Sequence, residues 1–483
     1  MNNNLHNHRF IILSYFINEF KNFWFIVPII FAKKISLFIP ALALIGIYSI
    51  IISFIRWSKT LYWLNEATLS YRTGVFSIKN IETPYNKITT FDIDQTVIHK
   101  IFNLHKVKLD TGAPNKKDEI VLLLDKHALL DLKQNIGHME NPQSTNAYDI
   151  SGSDMTPNRH SRENTICATT KDLLLYSLTQ NNLAILLGIA LSADQFINNI
   201  SDVINIDINK NISGLANNIH SIASILILFI TFIIISTIFS SIIFIIKYGN
   251  YKVYRSNDLI RINYGLLSNK TYSFKLNKIN AVTMKQNLLR QFFKLYKLQI
   301  SAVGYGDEKD EEALLFPLCT KIKADFILSE LLPEFQFSNN MYTVPKRGGR
   351  RFFTLPITIF IAVASVIIII FTKTLVIFIS FLILLLTICS CFLQYRNSAL
   401  GFNNNVVYTA SGGIFKSITI IPIYQIQAIS YKQSYFQKVN TTCNYNFYYF
   451  GKAGSVSSKN LDQGLRDNVL PRYIPSYLIP QQE

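Results

Sequence analysis

The sequence predicts a membrane α plus β protein: three transmembrane helical hairpins, each followed by a soluble β-rich module that a C-terminal helix closes. Three observations carry this reading. The charged share is only 16% against 49% hydrophobic, well below the roughly 25% charge of an ordinary soluble domain. The apolar residues are gathered into charge-free blocks. After each block the chain repeats one pattern of alternating strands around a turn glycine, which marks a threefold tandem of a single unit.

The blocks come first. Residues 35–55, 173–193, 221–246, 352–372 and 374–393 carry no charged side chain, and each reaches the roughly 20 residues that a helix needs to cross the hydrocarbon layer. A sixth segment, 22–32, is shorter, but Leu13, Phe16, Ile17 and Phe20 fall at helical spacing before it. Residues 10–20 therefore read as an interfacial amphipathic helix leading into a short or tilted insertion. The 173–193 span places Gln180, Asn181 and Asn182 near the bilayer centre, where they need partners on neighbouring helices.

Paired in order, the segments give nine regions. These are an interfacial helix with the first hairpin (10–56), a first soluble module (57–136), a polar linker (137–170) and a second hairpin (171–247). A second module (248–335), a basic linker (336–351), a third hairpin (352–395), a third, divergent module (396–475) and a tail (476–483) complete the chain. Three hairpins set all modules on one face. Arg56, Lys247, Lys252 and Arg396 crowd the module side, while the opposite loop of the middle hairpin carries Asp194, Asp202 and Asp207 against Lys210. The positive-inside rule then expects cytoplasmic modules in a multi-pass protein of the cell membrane, although Lys33, Lys34 and Lys373 at the other tips argue the opposite way. No small-residue cleavage pattern follows the first apolar stretch, so that segment is expected to stay in the protein. The five cysteines, Cys167, Cys319, Cys389, Cys391 and Cys443, form no CxxC pair and suit a reducing compartment.

The modules align residue by residue. Gly74, Ile88 and Gln95 in the first match Gly265, Ile279 and Gln286 in the second, and Gly413, Ile426 and Gln433 follow in the third after the loss of one residue. Alternating apolar residues predict strands over 69–73, 75–81, 87–95, 106–109 and 120–124 of the first module, with a closing helix over 126–135 and its counterpart over 322–332 of the second. The third ends in a stretch containing Gly464 and Pro471, which disfavours a long helix.

This combination resembles the bacterial pleckstrin-homology-like membrane proteins of the YdbS/YdbT type, and its three-module arrangement looks like the YdbT form. The shared features are a strand, a turn glycine, a second strand, the Lys87-Ile88 and Lys278-Ile279 step before a glutamine, and a further strand ending at Gly112 or Gly304. The resemblance implies that each module is a small, strongly bent antiparallel sheet with a C-terminal helix. It also implies a smaller PH-like family member as membrane protein partner. No functional residue carries over, because the shared positions read as structural.

Gly74, Gly265 and Gly413 fit turns that need positive φ rather than a phosphate cradle, since neither GKS nor GxGxxG follows. Gln95, Gln286 and Gln433 read as buried side chains that pin a loop through backbone hydrogen bonds, ahead of a ligand contact. Basic residues are the functional signal. Arg290, Lys294 and Lys297 cluster beside Phe292, Phe293 and Tyr296, while Lys346, Arg347, Arg350 and Arg351 precede a membrane span. Juxtamembrane cations attract anionic headgroups by about 1 kcal/mol each, and the same residues also serve as topology determinants.

A net charge of +17 spread over a membrane protein without a recognition motif does not point to nucleic acid. The eight histidines form no HExxH, the acidic run 307–312 lacks the glycine-spaced order of a calcium loop, and the apolar spans hold no carboxylate. No cofactor and no enzyme activity are expected. The favoured function is a scaffold binding partner proteins or anionic lipid headgroups at the inner face of the cell membrane. The alternative is a component of a transport or antimicrobial-resistance system, with Gln180, Asn181, Asn182, Pro28, Pro40 and Pro356 lining a pathway between hairpins.

Overall fold

A computed structural model describes residues 5–23, 35–75, 77–88, 90–110, 120–138, 165–180, 222–302, 313–336, 341–370, 374–450 and 454–475. Gly112, Gly304, Pro28, Asn181, Asn182, the acidic run 307–312 and most of the polar linker lie outside these residues, as do the hairpin-tip charges Lys33, Lys34, Asp194, Asp202, Asp207, Lys210 and Lys373.

Three helix pairs are present. Ile11–Asn22 packs on Ile35–Lys59, joined by a Glu19–Arg56 ion pair of 2.7 Å. Thr170–Leu178, started by a capping box between Thr169 and Asp172, packs on Ile222–Tyr248, where the Ser177 and Ser241 hydroxyls meet at 2.7 Å and Tyr176 stacks on Phe244 at 4.3 Å. Lys346–Ile370 packs on Thr374–Asn397, with Phe352 and Tyr395 ring centroids 6.3 Å apart. Among the described residues, the stretches long and apolar enough to cross a bilayer are Leu42–Lys59 and Ser380–Asn397, with Ile234–Tyr248 a shorter apolar run. Two of the six predicted segments thus meet the length and apolarity of a membrane span within the described residues.

Each helix pair is inserted into a β-ladder. The short strand Leu5–His6 pairs antiparallel with Leu61–Leu64, Ile166–Cys167 with Lys252–Ser256, and Met341–Thr343 with Ala399–Phe402. The chain leaves the sheet, runs through two helices and returns beside its point of departure, so both ends of each pair are tied to one sheet. Trp57 Nε1 reinforces the first tie by donating to the Asn7 carbonyl at 2.8 Å.

The resemblance implied one self-contained sheet per module; the structure shares its sheets between modules. Strands Leu61–Leu64, Thr68–Thr73 and Lys79–Pro84 of the first module form a four-stranded sheet with Leu5–His6. The first module's remaining strands, Thr90–Gln95, Leu104–Asp110 and Ile120–Asp125, instead join the opening strands of the second module through the pairing of Thr90–Gln95 with Asn269–Lys275. The same happens one module on. Strands Ile279–Gln286, Leu295–Ala302 and Leu314–Thr320 join the third module through the pairing of Ile279–Gln286 with Lys416–Pro422. A three-stranded sheet, Ile426–Lys432, Thr442–Tyr449 and Ser455–Asp462, ends the row.

The cores follow the sheets. Val406, Tyr408, Ile418 and Ile420 of the third module pack in one apolar cluster with Val282, Leu298, Phe316 and Leu328 of the second. Removing such side chains from water contributes roughly 25 cal/mol per Å², so each module's stability is partly its neighbour's. The closing helices Lys126–His138 and Lys321–Leu331 are present, and the third module ends in a short turn at 465–469 and the helix Leu470–Tyr473. Two expectations shift. The strand after Gly74 is Lys79–Pro84 rather than 75–81, and the basic linker is partly structured, with a strand at Met341–Thr343 and helix from Lys346 onward.

Candidate functional site

Each glutamine that closes a strand is followed by a polar cap and one turn of helix, an element absent from the sequence-based expectation. These helices are Val97–Ile101, Leu288–Phe292 and Tyr435–Val439, started by Thr96, Asn287 and Ser434. The short-chain caps satisfy amide groups that would otherwise lack an acceptor. Gln286 Nε2 donates to the Leu295 carbonyl at 2.9 Å and Gln433 Nε2 to the Thr442 carbonyl at 2.9 Å, so each side chain spans the base of its short helix; only Gln286 is buried as expected, Gln95 being half-buried and Gln433 exposed.

The second of these helices builds a buried cation cluster. Asn287 accepts from the Arg290 amide at 3.0 Å and donates through Nδ2 to the Thr179 carbonyl, fastening the turn to the end of the helix Thr170–Leu178. Arg290 is 6% exposed. Its Nε donates to Thr179 Oγ1 at 3.0 Å and its guanidinium lies 4.4 Å from the centre of the Tyr176 ring, an attractive cation–π contact. Lys297 Nζ lies 5.7 Å from the same ring centre. Burial pulls the Lys297 ammonium down to about 7, and the positive charges of Arg290, Lys285 and Lys247 add to the effect. Arg290 and Lys297 thus share the Tyr176 ring beside the second helix pair, within the field of Lys285 and Lys247.

The other predicted cations are arranged differently. Lys294 is exposed, at φ 55°, in the left-handed region, where Asn103 and Thr441 stand in the other modules. Lys346, Arg347, Arg350 and Arg351 form the first two turns of the helix Lys346–Ile370 instead of preceding it. Arg347 is ion-paired with Asp462, and the Arg351 guanidinium sits 4.7 Å from the Phe436 ring centre. Of the seven cations singled out in the sequence, Arg290 and Lys297 come together at one ring, while the four-residue run forms a separate collar. No local pattern signals the contribution of Tyr176 and Thr179, which lie far from Arg290 along the chain.

The glycine alignment needs one correction. The positive-φ turn residues are Gly74, Gly265 and Gly412, at φ 125°, 114° and 103°; Gly413 is not the equivalent position. With Gly412 as reference, Ile426 and Gln433 fall at the same spacing as Ile279 and Gln286 from Gly265, and the apparent lost residue disappears. Gly413 is small for another reason: a Cβ there would lie 2.8 Å from the Ser390 carbonyl oxygen of the adjacent helix.

The family model described as a bacterial PH domain matches residues 11–140, 184–334 and 352–465, one match running into each module. The chain belongs to the bacterial PH-domain family. Within that family it is similar to the UPF0699 transmembrane protein YdbT of Bacillus subtilis (strain 168), with 24% identity over 407 residues that cover 82% of this chain and 81% of the relative. No solved structure matches the chain. The family assignment accounts for the three copies of the glycine and glutamine register, which mark shared bacterial PH-domain geometry.

Proposed function

We propose that this chain is a non-enzymatic scaffold of the cell membrane, in which three helix pairs cross the bilayer and hold the bacterial PH modules against its cytoplasmic face. The observation that carries the reading is the strand ladder passed from module to module. Among the outer strands of the four described sheets, Lys79–Pro84 of the first module and Ile426–Lys432 of the third are the counterparts of the strands that pair across the two internal junctions. An outer strand presents backbone donors and acceptors to an added strand, and both internal junctions show how such an addition is made.

The register of those junctions bears on the partner. Gln95 faces Asn269 and Gln286 faces Lys416, in each case the first residue of the incoming strand. Carried through the glycine alignment to the outer strands, this register sets Lys432 of one chain opposite Lys79 of a second copy, and like charges directly opposed are destabilising. The first junction instead matches Asp94 with Lys270 at 3.8 Å. A different protein with its own PH-like module, such as a smaller member of the family, fits this edge better than self-association. Arg290 and Lys297, at the Tyr176 ring of the second helix pair, are candidates for an anionic-headgroup site, as is the collar of Lys346, Arg347, Arg350 and Arg351.

The test is a photo-crosslinker at the exposed edge residue Gln427 in native membranes, with identification of attached protein and retained lipid. A discrete heterologous adduct is expected, together with an anionic lipid that is lost on combining Arg290→Gln with Lys297→Met. No adduct, or an adduct of two copies of this chain, overturns the partner reading; lipid retention unchanged by the double substitution overturns the headgroup reading. Of the residues of the transport alternative, Pro40 and Pro356 are each built into a helix, Gln180 follows the helix Thr170–Leu178, and Pro28, Asn181 and Asn182 lie outside the described residues.

A further inference from the structure

The short helices after the glutamines are amphipathic in the wrong direction for a soluble module. In Leu288–Phe292 the inward residue is Arg290, while Leu288, Leu289 and Phe292 point outward. In Tyr435–Val439 the inward residue is Gln437, held by Asn444 Oδ1 at 2.9 Å and Asn460 Oδ1 at 2.6 Å, while Tyr435, Phe436 and Val439 point outward. Val97–Ile101 repeats the pattern, with His99 at the matching position and Val97, Ile98 and Ile101 exposed. The same register position forms the tip each time: Ile101 is 74% exposed, Phe292 80% and Val439 69%. One exposed apolar side chain is ordinary, but an inverted apolar face recurring in three modules marks a contact surface.

Its occupant follows from where the helices lie. Arg290 and Asn287 are bonded to Tyr176 and Thr179, and the neighbouring Ser177 meets Ser241, about two turns or ~10 Å before the helix Ile222–Tyr248 ends. Phe436 lies beneath Arg351, in the second turn of the helix Lys346–Ile370. Phe102 is 4.7 Å from Phe10, which caps the amphipathic helix Ile11–Asn22. The second and third short helices therefore lie alongside the helix pairs, past the level at which these join the sheets, and the first touches the start of its pair.

The glycine turns extend the same surface. Lys100 Nζ donates to the Leu266 carbonyl at 3.3 Å, and Gln291 Nε2 donates to the carbonyls of Gly413 and Ile414 at 2.8 and 3.0 Å. The first and second short helices are thereby fastened to the next module's turn, whose Leu266 and Leu267 or Ile414 and Phe415 are also exposed. Apolar tips flanked by Lys294, Lys438 and Arg351 have the composition of an interfacial anchor, in which rings and aliphatic chains enter the headgroup boundary and cations remain in water.

We propose that the three short helices, together with the neighbouring glycine turns, are wedges that insert into the interfacial layer of the leaflet from which the protein's own helix pairs emerge. The proposal rests on the membrane reading above and adds to it: the modules are set into the lipid surface at three further points, not merely tethered above it.

The test uses the full chain reconstituted in lipid bilayers, with one tryptophan added at a time to the three native ones. Ile101→Trp, Phe292→Trp and Val439→Trp probe the tips. Ile322→Trp is the control, since Ile322 is 84% exposed but adjoins Lys323, which is ion-paired at 2.8 Å with Asp172 at the sheet end of the second helix pair. Ile234→Trp reports on the long helix Ile222–Tyr248. The expected result is that bromine-labelled acyl chains quench the added emission at the tips and at Ile234, whereas aqueous iodide quenches it at Ile322. Tips quenched by iodide, or by neither agent, overturn the proposal. If Ile234→Trp is quenched by lipid while the tips are not, the wedges fail and the membrane reading stands. If Ile234→Trp is also unquenched by lipid, both fall.

Discussion

Replacing Lys297 by methionine should make the protein more stable and remove part of its pH dependence. The lysine ammonium has an ordinary pKa of 10.5, and burial beside Arg290, Lys285 and Lys247 brings it to about 7. Between those values the unfolded chain binds a proton that the folded chain does not, so stability rises with pH across this window and the full penalty applies below it. One pH unit corresponds to about 1.4 kcal/mol for a single group, which makes the penalty at most about 4 kcal/mol near pH 7 and close to zero near pH 10. Thermal unfolding of wild type and Lys297→Met in one neutral detergent, from pH 7 to 10, should give curves that converge at the alkaline end. Adding an anionic lipid should protonate Lys297 in the wild type, raising its stability near neutral pH and flattening its slope. Parallel curves for the two proteins, with no convergence, would show that Lys297 is not the buried titrating group described above.

Two further substitutions test the backbone. Gly265→Ala would place a methyl group on the Ser268 carbonyl oxygen at a φ of 114°; a loss of at least about 2 kcal/mol is expected, read as a lowered melting temperature or failure to accumulate, with Gly412→Ala behaving alike. Lys294→Asn should instead stabilise by about 1 kcal/mol, because asparagine tolerates the left-handed conformation that lysine occupies there at φ 55°. Unchanged melting of Lys294→Asn would show that the turn carries no such strain.

The strands around Gly74 and Gly265 and the closing helices Lys126–His138 and Lys321–Leu331 were legible because their apolar residues keep the period of the element they form. Sheet sharing was not. Which strand lies beside Thr90–Gln95 is decided by backbone hydrogen bonds to Asn269–Lys275, and no side-chain period records a neighbour. Arg290 and Lys297 read as surface charges because their local sequence is basic and aromatic; their burial comes from Tyr176 and Thr179, more than a hundred positions upstream. The short helices escaped for the opposite reason. Leu288, Leu289 and Phe292 look like core residues by composition, yet the fold turns them outward and buries Arg290. The shift from Gly413 to Gly412 was open to correction from spacing alone, since Ile426 and Gln433 keep the common interval only from Gly412.

Because Thr90–Gln95 waits for Asn269–Lys275 and Ile279–Gln286 waits for Lys416–Pro422, maturation runs in one direction along the polypeptide. A ribosome must release an entire further pair of helices before the preceding half-built sheet can close. Until then that sheet keeps an unpaired border, which exposes backbone donors and acceptors to misassembly. Versions cut between repeats would keep that border unpaired.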